Sequence, residues 1–314
     1  MVQITFEGHP IDVAPGETLL QALIRARTEP SYSCLAGLCH SCLLQAQAGE
    51  IPPAAQSGLS PEQCEQQLLL ACQCRPVEPL QLQRPKTLKR TDAVICGLQQ
   101  LSTEITELRL ATRAPLPYHA GQHIDLWLGP YLSRRYSLAS VPGLDGDLVF
   151  HIQRVRGGQF SDWIHTQACE GSLIQLGTAQ GACCYSPEQS TRPLLLIGSG
   201  SGLGPLHGLL RDALNQHHRG QISLLHLGKS PLHLYLQEEI RSLCDQHPNL
   251  SHHPLVGTSD DLAVPLQSVL THWDSRRVNA FVCGSGELVK EAFSQLRAAG
   301  VPDHQIHTDS FDAY

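Results

Sequence analysis

The sequence Ser33-Cys-Leu-Ala-Gly-Leu-Cys39-His-Ser-Cys42, followed later by Leu70-Ala-Cys72, decides the fold of the first part of this chain. Three cysteines stand in C-x4-C-x2-C spacing, and a fourth follows after 29 residues. Three thiolates on one tight loop with a distant fourth form the ligand pattern of a plant-type [2Fe–2S] cluster. Gly37 lies between the ligands, where the backbone must curl tightly. The predicted ligands are Cys34, Cys39, Cys42 and Cys72.

Two alternatives stay open for these cysteines. Cys74 competes with Cys72 as the fourth ligand, although its gap of 31 residues matches the pattern less well. A zinc site is disfavoured, because zinc usually takes paired C-x2-4-C knuckles and the second half offers only C-x-C. We expect the other cysteines outside the motifs below to be ordinary small core or surface residues. These are Cys64, Cys96, Cys169, Cys183, Cys184 and Cys244.

The bulk composition excludes several classes of partner. The 314 residues are enough for two or three domains, and the formal net charge is −7. No basic block predicts nucleic-acid binding, and no polybasic run predicts contact with a membrane surface. No apolar run approaches the length of a membrane-spanning helix. The N-terminus lacks the features of a signal peptide, so we expect a cytoplasmic monomer with reduced thiols.

The first module has the pattern of a β-grasp ferredoxin domain over residues 1–83, with a linker at 84–92. His9-Pro10 predicts a turn between the first two strands, and Thr18-x-x-Gln21 is a capping box that opens a helix. Ser60-Pro61 marks a second helix start. The predicted strands are Val2 to Phe6, Ile11 to Val13 and Leu43 to Ala48, and Leu68 to Leu70 carries the chain into Cys72.

Residues 93–188 predict an antiparallel β-barrel. Short strand-like segments alternate here with Gly and Pro, which is typical of barrels. The strand signals are Ile105 to Leu110, Ile124 to Leu128 and Leu148 to Val155, and Ser161 to Ala168 is the one predicted helix.

Residues 189–314 predict a doubly wound parallel sheet. Leu194 to Ile197 is an apolar run suited to a buried parallel strand, and a glycine-rich turn follows it. Strands alternate with helices after this point, which argues for a parallel α/β domain. The further elements are a helix at Leu206 to Asn215, strands at Ile222 to Leu227 and Val278 to Cys283, and a helix at Glu287 to Ala299. The fold class is thus multidomain, α+β and α/β.

Several separate motifs follow the cysteine pattern in a fixed order. They are Arg134-Arg-Tyr136-Ser137, Gly157-Gly158-x-x-Ser161, Gly198-Ser-Gly-Ser-Gly-Leu-Gly-Pro205, Val282-Cys283-Gly284 and Ile306-His-Thr-Asp-Ser-Phe311. With these motifs the whole chain resembles the reductase components of bacterial aromatic-ring oxygenases, of the naphthalene and benzoate dioxygenase reductase type. That family belongs to the ferredoxin–NADP⁺ reductase superfamily and carries a ferredoxin fused at its N-terminus.

The resemblance implies an FAD site on the barrel. Arg134 would contact the pyrophosphate, Tyr136 would stack on the isoalloxazine, and the Ser137 hydroxyl would reach flavin N5. These roles suit the residue types, because a pyrophosphate favours a guanidinium and a flat ring favours an aromatic face. FAD is favoured over FMN because two phosphate-binding features are present. The residues implied to bind FAD are Arg134, Tyr136, Ser137, His151, Ile152, Gly157, Gly158 and Ser161.

The resemblance also implies a nicotinamide dinucleotide site on the last domain. The glycine turn is not a clean G-x-G-x-x-G, and Gly204 stands where the family pattern has Ala. The second strand ends without the carboxylate that marks NAD binding, while Lys229 alone makes a poor phosphate clamp. NADH is therefore favoured over NADPH only slightly, mostly by analogy with the family. The implied residues are Gly200, Ser201, Gly202, Pro205, Lys229, Cys283, Gly284 and Phe311.

Three of these residues are implied to act in hydride transfer. They are Ser137 at flavin N5, Cys283 beside the nicotinamide, and Phe311 over the flavin face. The predicted function is oxidation of NAD(P)H, transfer to FAD, and one-electron transfer through the cluster to an oxygenase component or its ferredoxin. Two alternatives stay open: a CDP-6-deoxyhexulose-type reductase that feeds a radical dehydratase, and a non-catalytic iron–sulfur redox-sensing module.

Overall fold

The computed structural model describes residues 2–28, 30, 32, 35, 37, 42–59, 61–85, 90–129 and 132–311. Cys34 and Cys39, two of the predicted cluster ligands, lie outside these residues. Within the described part of the chain, no helix is both long enough and apolar enough to cross a membrane. Three successive sheets account for the architecture.

The first sheet is mixed and has the strand order β2-β1-β5-β3-β4. Helix α1 packs over it, and the predicted capping box between Thr18 and Gln21 opens that helix. The elements are β1 (Val2–Phe6), β2 (His9–Val13), α1 (Leu19–Arg25), β3 (Leu43–Ala48), α2 (Pro61–Glu65), β4 (Leu68–Leu70) and β5 (Gln81–Gln83). This sheet and its helices form the predicted β-grasp module.

The turn between β1 and β2 lies earlier than His9-Pro10, so that prediction is wrong. Both residues belong to β2, where they pair with Phe6 and Thr5. The turn is formed by Glu7 and Gly8, which both have positive φ, 49° and 86°. Gly8 provides the left-handed conformation that a tight hairpin needs, whereas Pro10 fixes φ in a range compatible with the extended strand.

The second sheet is an antiparallel barrel with the order β10-β7-β6-β11-β8-β9. A bridge between Leu138 and Phe150 joins the two ends of this order, so the barrel is nearly closed. Strand β6 begins at Thr91, two residues before the expected start of the barrel. The elements are β6 (Thr91–Gln100), β7 (Ile105–Thr112), β8 (His123–Leu128), β9 (Leu132–Ser137), β10 (Leu148–Gln153), α3 (Gln159–Thr166) and β11 (Leu173–Leu176).

The third sheet is fully parallel and has the order β14-β13-β12-β15-β16. The strand order reverses between β12 and β15, which is where such sheets bind ligands at the carboxyl ends of their strands. The elements are β12 (Leu194–Ser199), α4 (Leu203–Asn215), β13 (Ile222–Gly228), α5 (Gln237–Gln246), β14 (Leu250–Val256), α6 (Ala263–Leu270), β15 (Asn279–Gly284), α7 (Gly286–Ala298) and β16 (Ile306–Ser310).

Candidate functional site

The glycine turn lies at the reversal point, between the barrel and strand β15. A Cβ added to Gly202 would come within 2.2 Å of the Cys283 carbonyl oxygen. Gly200 has φ +54° and approaches the side chain of Gln153 on the barrel. Only glycine fits these two positions, so the backbone here lies unusually close to its neighbours. Such a turn before a helix suits a dinucleotide pyrophosphate, since backbone N–H groups can then face the phosphates.

Cys283 ends β15 directly beside this turn and is fully buried. Its thiol lies 3.7 Å from the Cys183 thiol, sulfur to sulfur, and Cys183 belongs to the chain segment that leaves the barrel. The hydrogen bond with Cys183, together with burial, raises the pKa of Cys283 well above its usual value. A neutral thiol is therefore held at the predicted nicotinamide position.

Ser137, at the end of β9, meets the nucleotide-binding domain through Asp309. The Ser137 hydroxyl donates a 2.7 Å hydrogen bond to the Asp309 carboxylate. Asp309 is also the register partner of Cys283 in the β15–β16 pairing. The residues predicted for flavin N5 and for the nicotinamide are thus linked by one carboxylate.

Asp309 is the residue that the sequence interpretation missed. It stands inside the C-terminal motif, but the sequence offers no reason to assign it a role of its own. Burial raises the pKa of this carboxyl group, while the hydrogen bond from Ser137 acts in the opposite direction. The motif spacing places Asp309 two residues before Phe311, and that spacing was the only available indication.

Phe311 follows β16 and is held next to Gly284. Its backbone N–H donates to the Gly284 carbonyl oxygen at 2.7 Å. Its ring is half-buried and packs against the core cluster that contains Cys183 and Cys283. This position is close to the nicotinamide end of the site, and a role in covering the flavin stays a prediction.

The predicted flavin residues of β9 point in different directions. Arg134 donates from Nη1 to the carbonyl oxygens of Tyr32, at 3.0 Å, and Ser133, at 2.7 Å. Tyr136 is half-buried, and its ring centroid lies 5.4 Å from that of Phe160 at the start of α3. The Tyr32 contact joins the barrel to the segment next to the cysteine loop.

The predicted turn at Gly157-Gly158 opens α3. Gly157 has φ +76°, and Gly158 is the N-cap residue of the helix. The Ser161 hydroxyl accepts from Val155 N–H and lies within hydrogen-bond distance of two carbonyl oxygens of the same turn. This hydroxyl therefore shapes the turn, and any contact with a phosphate comes in addition to that role.

His151 and Ile152 on β10 lie under the glycine turn and α3. The carbonyl oxygen of Ile152 is 3.0 Å from Nε2 of His165. The His151 ring is buried and its Nδ1 lies 3.0 Å from the Tyr235 hydroxyl. The contact with His151, whose Nε2 lies 3.8 Å from the carboxylate, and the hydrogen bond from Arg109 lower the pKa of Glu107 to about 2. Burial lowers the pKa of His151 itself, so its ring stays neutral beside this carboxylate.

The same ring explains why glycine stands at position 204. A Cβ added to Gly204 would lie 3.0–3.1 Å from three atoms of His151. The Gly204 backbone also lies near the Tyr235 hydroxyl, where it counters the rise in the Tyr235 pKa that burial causes. His151 thus fills the space that the family's alanine methyl would take, and it connects the barrel with the start of α4.

At the cluster module, strand pairing brings Cys42 next to the fourth-ligand segment. Leu43 pairs with Leu70, and the Ala71 N–H donates to the Cys42 carbonyl oxygen at 3.1 Å. Gln73 reaches from this segment to the cysteine loop, with Nε2 at 3.1 Å from the Leu35 carbonyl oxygen and 3.5 Å from Cys72 Sγ. The Cys72 sulfur thus lies close to the loop, while Cys74 is fully buried in the module core. The thiols of Cys42 and Cys72 are donors that suit an iron–sulfur cluster, while Cys34 and Cys39 lie outside the described residues.

Lys229 follows β13 and is exposed. The exposed ammonium group is compatible with either nicotinamide cofactor. Adjacent histidines such as His217-His218 and His252-His253 are expected to be solvated surface residues, but only His217 is exposed. His218 is buried against Tyr185, and His252 stacks on the fully buried His226 at 5.8 Å between centroids.

Three domain-family models match the chain in the predicted order. Residues 2–77 match a 2Fe-2S iron-sulfur cluster binding domain. Residues 94–185 match an oxidoreductase FAD-binding domain, and residues 196–293 match an oxidoreductase NAD-binding domain. The predicted cluster, flavin and nicotinamide cofactors are confirmed by these matches.

Curated relatives align over almost the entire chain. The reductase subunit of an aromatic O-demethylase from Amycolatopsis is 28% identical, with 98% of each chain covered. The ferredoxin–NAD(P)⁺ reductase component of the naphthalene 1,2-dioxygenase system from Pseudomonas putida is 26% identical, covering 96% of this chain and 95% of the relative. A CDP-6-deoxy-L-threo-D-glycero-4-hexulose-3-dehydrase reductase from Yersinia pestis is 24% identical, covering 94% of this chain and 93% of the relative.

A solved structure shows the same arrangement. The crystal structure of an Amycolatopsis cytochrome P450 reductase superposes with a TM-score of 0.67 and 26% identity, covering 99% of both chains. The order of the three modules and their folds are therefore confirmed.

Proposed function

We propose that this chain is the reductase component of an oxygenase system. It belongs to the NAD(P)H-dependent oxidoreductases with fused [2Fe–2S], FAD-binding and NAD-binding domains. When bound, FAD supplies the conversion of a two-electron hydride into single electrons, and the cluster carries these onward. The relatives named as reductase components of such systems support this proposal.

One observation carries the proposal at the level of the chain. Ser137 bonds to Asp309 at 2.7 Å, and Asp309 pairs with Cys283 in the sheet. The residue predicted for the flavin ring, Ser137, therefore lies near the residue predicted for the nicotinamide ring, Cys283. Ser137 comes from the barrel, whereas the other two residues come from the nucleotide-binding domain. A site for hydride transfer needs this juxtaposition, because reaction requires the two partners to be held in contact and aligned.

The residues around this point have separate tasks in the proposed reaction. The turn at Gly200 to Gly202 binds the dinucleotide backbone, and Cys283 presents a neutral, weakly polar sulfur to the nicotinamide ring. Ser137 orients the reactive edge of the flavin with its hydroxyl, while Asp309 fixes that hydroxyl. Phe311 excludes water from the site until the nicotinamide ring displaces it.

We propose Cys72 as the fourth cluster ligand, supported by the reach of Gln73 to its sulfur and to the cysteine loop. Cys72→Ser is expected to remove the visible absorbance of the cluster, while NADH still reduces the flavin. Cys74→Ser is the matched control, since its side chain lies in the module core, and it should retain the cluster. Iron content and absorbance of the two purified variants decide between them, and cluster loss in Cys74→Ser alone would reverse the assignment.

The function itself is tested with the purified protein. Flavin bands with a broad iron–sulfur shoulder should bleach on addition of NADH, and NADPH should act less well. Reduced protein is then mixed with Rieske-type, di-iron and cytochrome P450 oxygenase components, and transfer of electrons to one of them is the expected result. A protein that neither nicotinamide bleaches contradicts the proposal.

A second candidate function is reduction of a sugar dehydratase, which the Yersinia relative favours. Transfer to a radical dehydratase and to none of the oxygenase components would establish it. The oxidoreductase matches of the last two domains favour either enzyme over the non-catalytic redox-sensing module. We further propose a cytoplasmic monomer, for which size-exclusion chromatography with light scattering tests the oligomeric state.

A further inference from the structure

Two buried thiols from different modules meet beside the proposed hydride-transfer site. Cys183, from the segment that leaves the barrel, has 7% of its surface exposed, and Cys283, at the end of β15, has none. Their sulfurs are 3.7 Å apart. A disulfide bond is about 2.05 Å long, so bond formation needs the two sulfurs to approach further by rotation of the cysteine side chains.

The backbones of both cysteines are held in place by glycines. A Cβ on Gly121 would come within 2.3 Å of the Cys183 carbonyl oxygen, and one on Gly202 would come within 2.2 Å of the Cys283 carbonyl oxygen. Gly121 also lies near the carbonyl oxygen of Pro205 in α4. The barrel, the glycine turn and β15 therefore pack tightly around the pair, and the two thiols stay opposed while the modules are docked.

We propose that Cys183 and Cys283 are an oxidative modification site, at which hydrogen peroxide converts the two thiols into an intermodule disulfide. The sulfur of Cys183 attacks one peroxide oxygen, the O–O bond breaks, and water leaves after protonation, so that a sulfenic acid forms. The Cys283 sulfur then attacks the sulfenic sulfur, its thiol proton passes to the sulfenic hydroxyl, and the second oxygen leaves as water. Two thiols and one peroxide give one disulfide and two waters.

Cys183 is the first sulfur to react because it is the more exposed of the two. The hydrogen bond with Cys183 and burial keep the Cys283 thiol protonated at neutral pH, so Cys283 resists direct oxidation. This order of reaction makes the pair stable in the reduced cell and responsive when peroxide accumulates.

The consequence for electron transfer rests on the proposed role of Cys283. A disulfide would remove its thiol from the nicotinamide position and tie β15 to the barrel segment. Reduction of the flavin by NADH should then fall about tenfold or more, since misplacement of reacting groups by about 1 Å has effects of this size. Reduction by dithiothreitol should restore the rate.

The experiment follows the disulfide and the rate separately in the holoprotein. Protein is titrated with hydrogen peroxide, free thiols are alkylated, and peptides are identified by mass spectrometry. The expected product is a cross-linked peptide pair containing Cys183 and Cys283, about 2 Da lighter than the two free peptides. The rate of flavin bleaching by NADH is measured on the same samples before and after dithiothreitol.

Cys184→Ser is the matched control, because Cys184 neighbours Cys183 and leaves the pair intact. On treatment with peroxide, Cys184→Ser should form the cross-link and lose its rate of flavin bleaching by NADH, as the natural protein does. Cys183→Ser and Cys183→Ala should show neither change. Each treated variant is compared with its own untreated sample. The proposal is overturned if the thiols of Cys183 and Cys283 can still be alkylated at peroxide doses that inactivate the protein. It is also overturned if Cys184→Ser resists inactivation by peroxide as well as Cys183→Ser does. Failure of the proposed function is distinct, since it would show as no bleaching in untreated protein.

Discussion

Asp309 is a half-buried carboxylate where two modules meet, and the Ser137 hydroxyl is its hydrogen-bond donor at 2.7 Å. Burial raises the pKa of this carboxyl group, and the Ser137 bond counters that effect. A buried acceptor that loses its donor costs about 1–3 kcal/mol. The pair therefore combines stability of the module contact with placement of a hydroxyl at the predicted position of flavin N5.

We expect Ser137→Ala to slow flavin reduction by NADH by roughly tenfold to a hundredfold, as the loss of one preorganised donor does elsewhere. Stopped-flow absorbance at the flavin band measures this rate. Ser140→Ala is the control, since Ser140 is a fully buried serine of the same barrel whose hydroxyl bonds to Tyr118 and Val149. It should lower the melting temperature without a comparable loss of rate, and equal losses in both variants would mean that Ser137 is only structural.

At the scale of elements, one face of α4 sets how the nucleotide-binding domain meets the barrel. Gly204, Gly208 and Arg211 recur on this face at helical spacing. Gly204 packs on His151, and a Cβ on Gly208 would lie 2.7 Å from the Ala139 carbonyl oxygen. Arg211 forms a two-bonded ion pair with Asp145, at 2.9 and 3.0 Å. The absence of side chains at the two glycines lets the helix, and the glycine turn before it, approach the flavin barrel.

The Tyr235 hydroxyl lies between the start of α4 and His151, so we expect Tyr235→Phe to weaken binding of the dinucleotide. Loss of the hydroxyl removes its 3.0 Å contact with His151 Nδ1, and because the His151 ring packs on Gly204, the glycine turn loosens. The expected effect is a fivefold to thirtyfold rise in the Kd for NAD⁺, equivalent to about 1–2 kcal/mol. Isothermal titration calorimetry of the holoprotein measures it.

The chain offers a matched control for this variant. Tyr185 bonds to His218 with the same 3.0 Å distance between hydroxyl and Nδ1, but at the end of α4 away from the turn. Tyr185→Phe should lower the melting temperature and leave the Kd for NAD⁺ unchanged. If both variants change the Kd alike, the hydroxyl of Tyr235 acts through general stability.

Strand β13 carries a histidine that makes folding sensitive to acid. His226 is fully buried between Tyr235 and His252, with ring centroids 6.0 and 5.8 Å away. Burial, with a smaller contribution from His252, lowers the pKa of His226 to about 3. In the unfolded chain His226 therefore binds a proton below about pH 6.5, whereas in the folded chain it stays neutral. The free energy of unfolding falls as the pH drops below that value.

We expect His226→Leu to reduce this acid sensitivity. A buried histidine of this kind changes the free energy of unfolding by about 1.4 kcal/mol per pH unit between its folded and unfolded pKa values. Replacement of His226 by leucine removes this contribution. Denaturant unfolding between pH 7.5 and pH 5.5 measures the slope. The control is His217→Asn, because His217 is exposed and has φ +57°, which asparagine tolerates. An unchanged slope in His226→Leu would contradict the assignment.

The strongly patterned elements could be predicted from the sequence, and the contacts between modules could not. The apolar run of β12 and the capping box at Thr18 are local features, so their elements were found. The strand β14 was missed because it lies at the sheet edge, where His252 and His253 are only half-buried and Pro254 is exposed. The role of Asp309 depends on its hydrogen bond with Ser137, which is 172 residues away in the chain. No local sequence pattern indicates such a distant partner.

At the scale of the whole molecule, electrons must cross from the barrel to the cluster module, and the connector between these modules is anchored at both ends. Arg84 lies over the Phe6 ring, 5.0 Å from its centroid, and bonds to the Thr28 carbonyl oxygen at 2.8 Å. Arg90 lies over the Trp127 ring of the barrel at 3.7 Å. Burial lowers the pKa of Arg90, which shows that this guanidinium is partly withdrawn from water. Together with the bond from Arg134 to Tyr32, these contacts hold the barrel against the cluster module.

We expect Arg90→Ala to slow the flavin-to-cluster step while leaving reduction of the flavin by NADH unchanged. The contact with Trp127 is worth about 1 kcal/mol or more, so its loss should lower the docked population, and with it the transfer rate, by roughly fivefold. The two steps are separated by stopped-flow absorbance at the flavin and iron–sulfur bands. Arg113→Ala, which alters an exposed arginine of the same barrel, should change neither rate. Slower reduction of the flavin in Arg90→Ala would show that the contact stabilises the barrel, whereas an isolated effect on the second step means that the connector itself holds the two modules at the distance electron transfer requires.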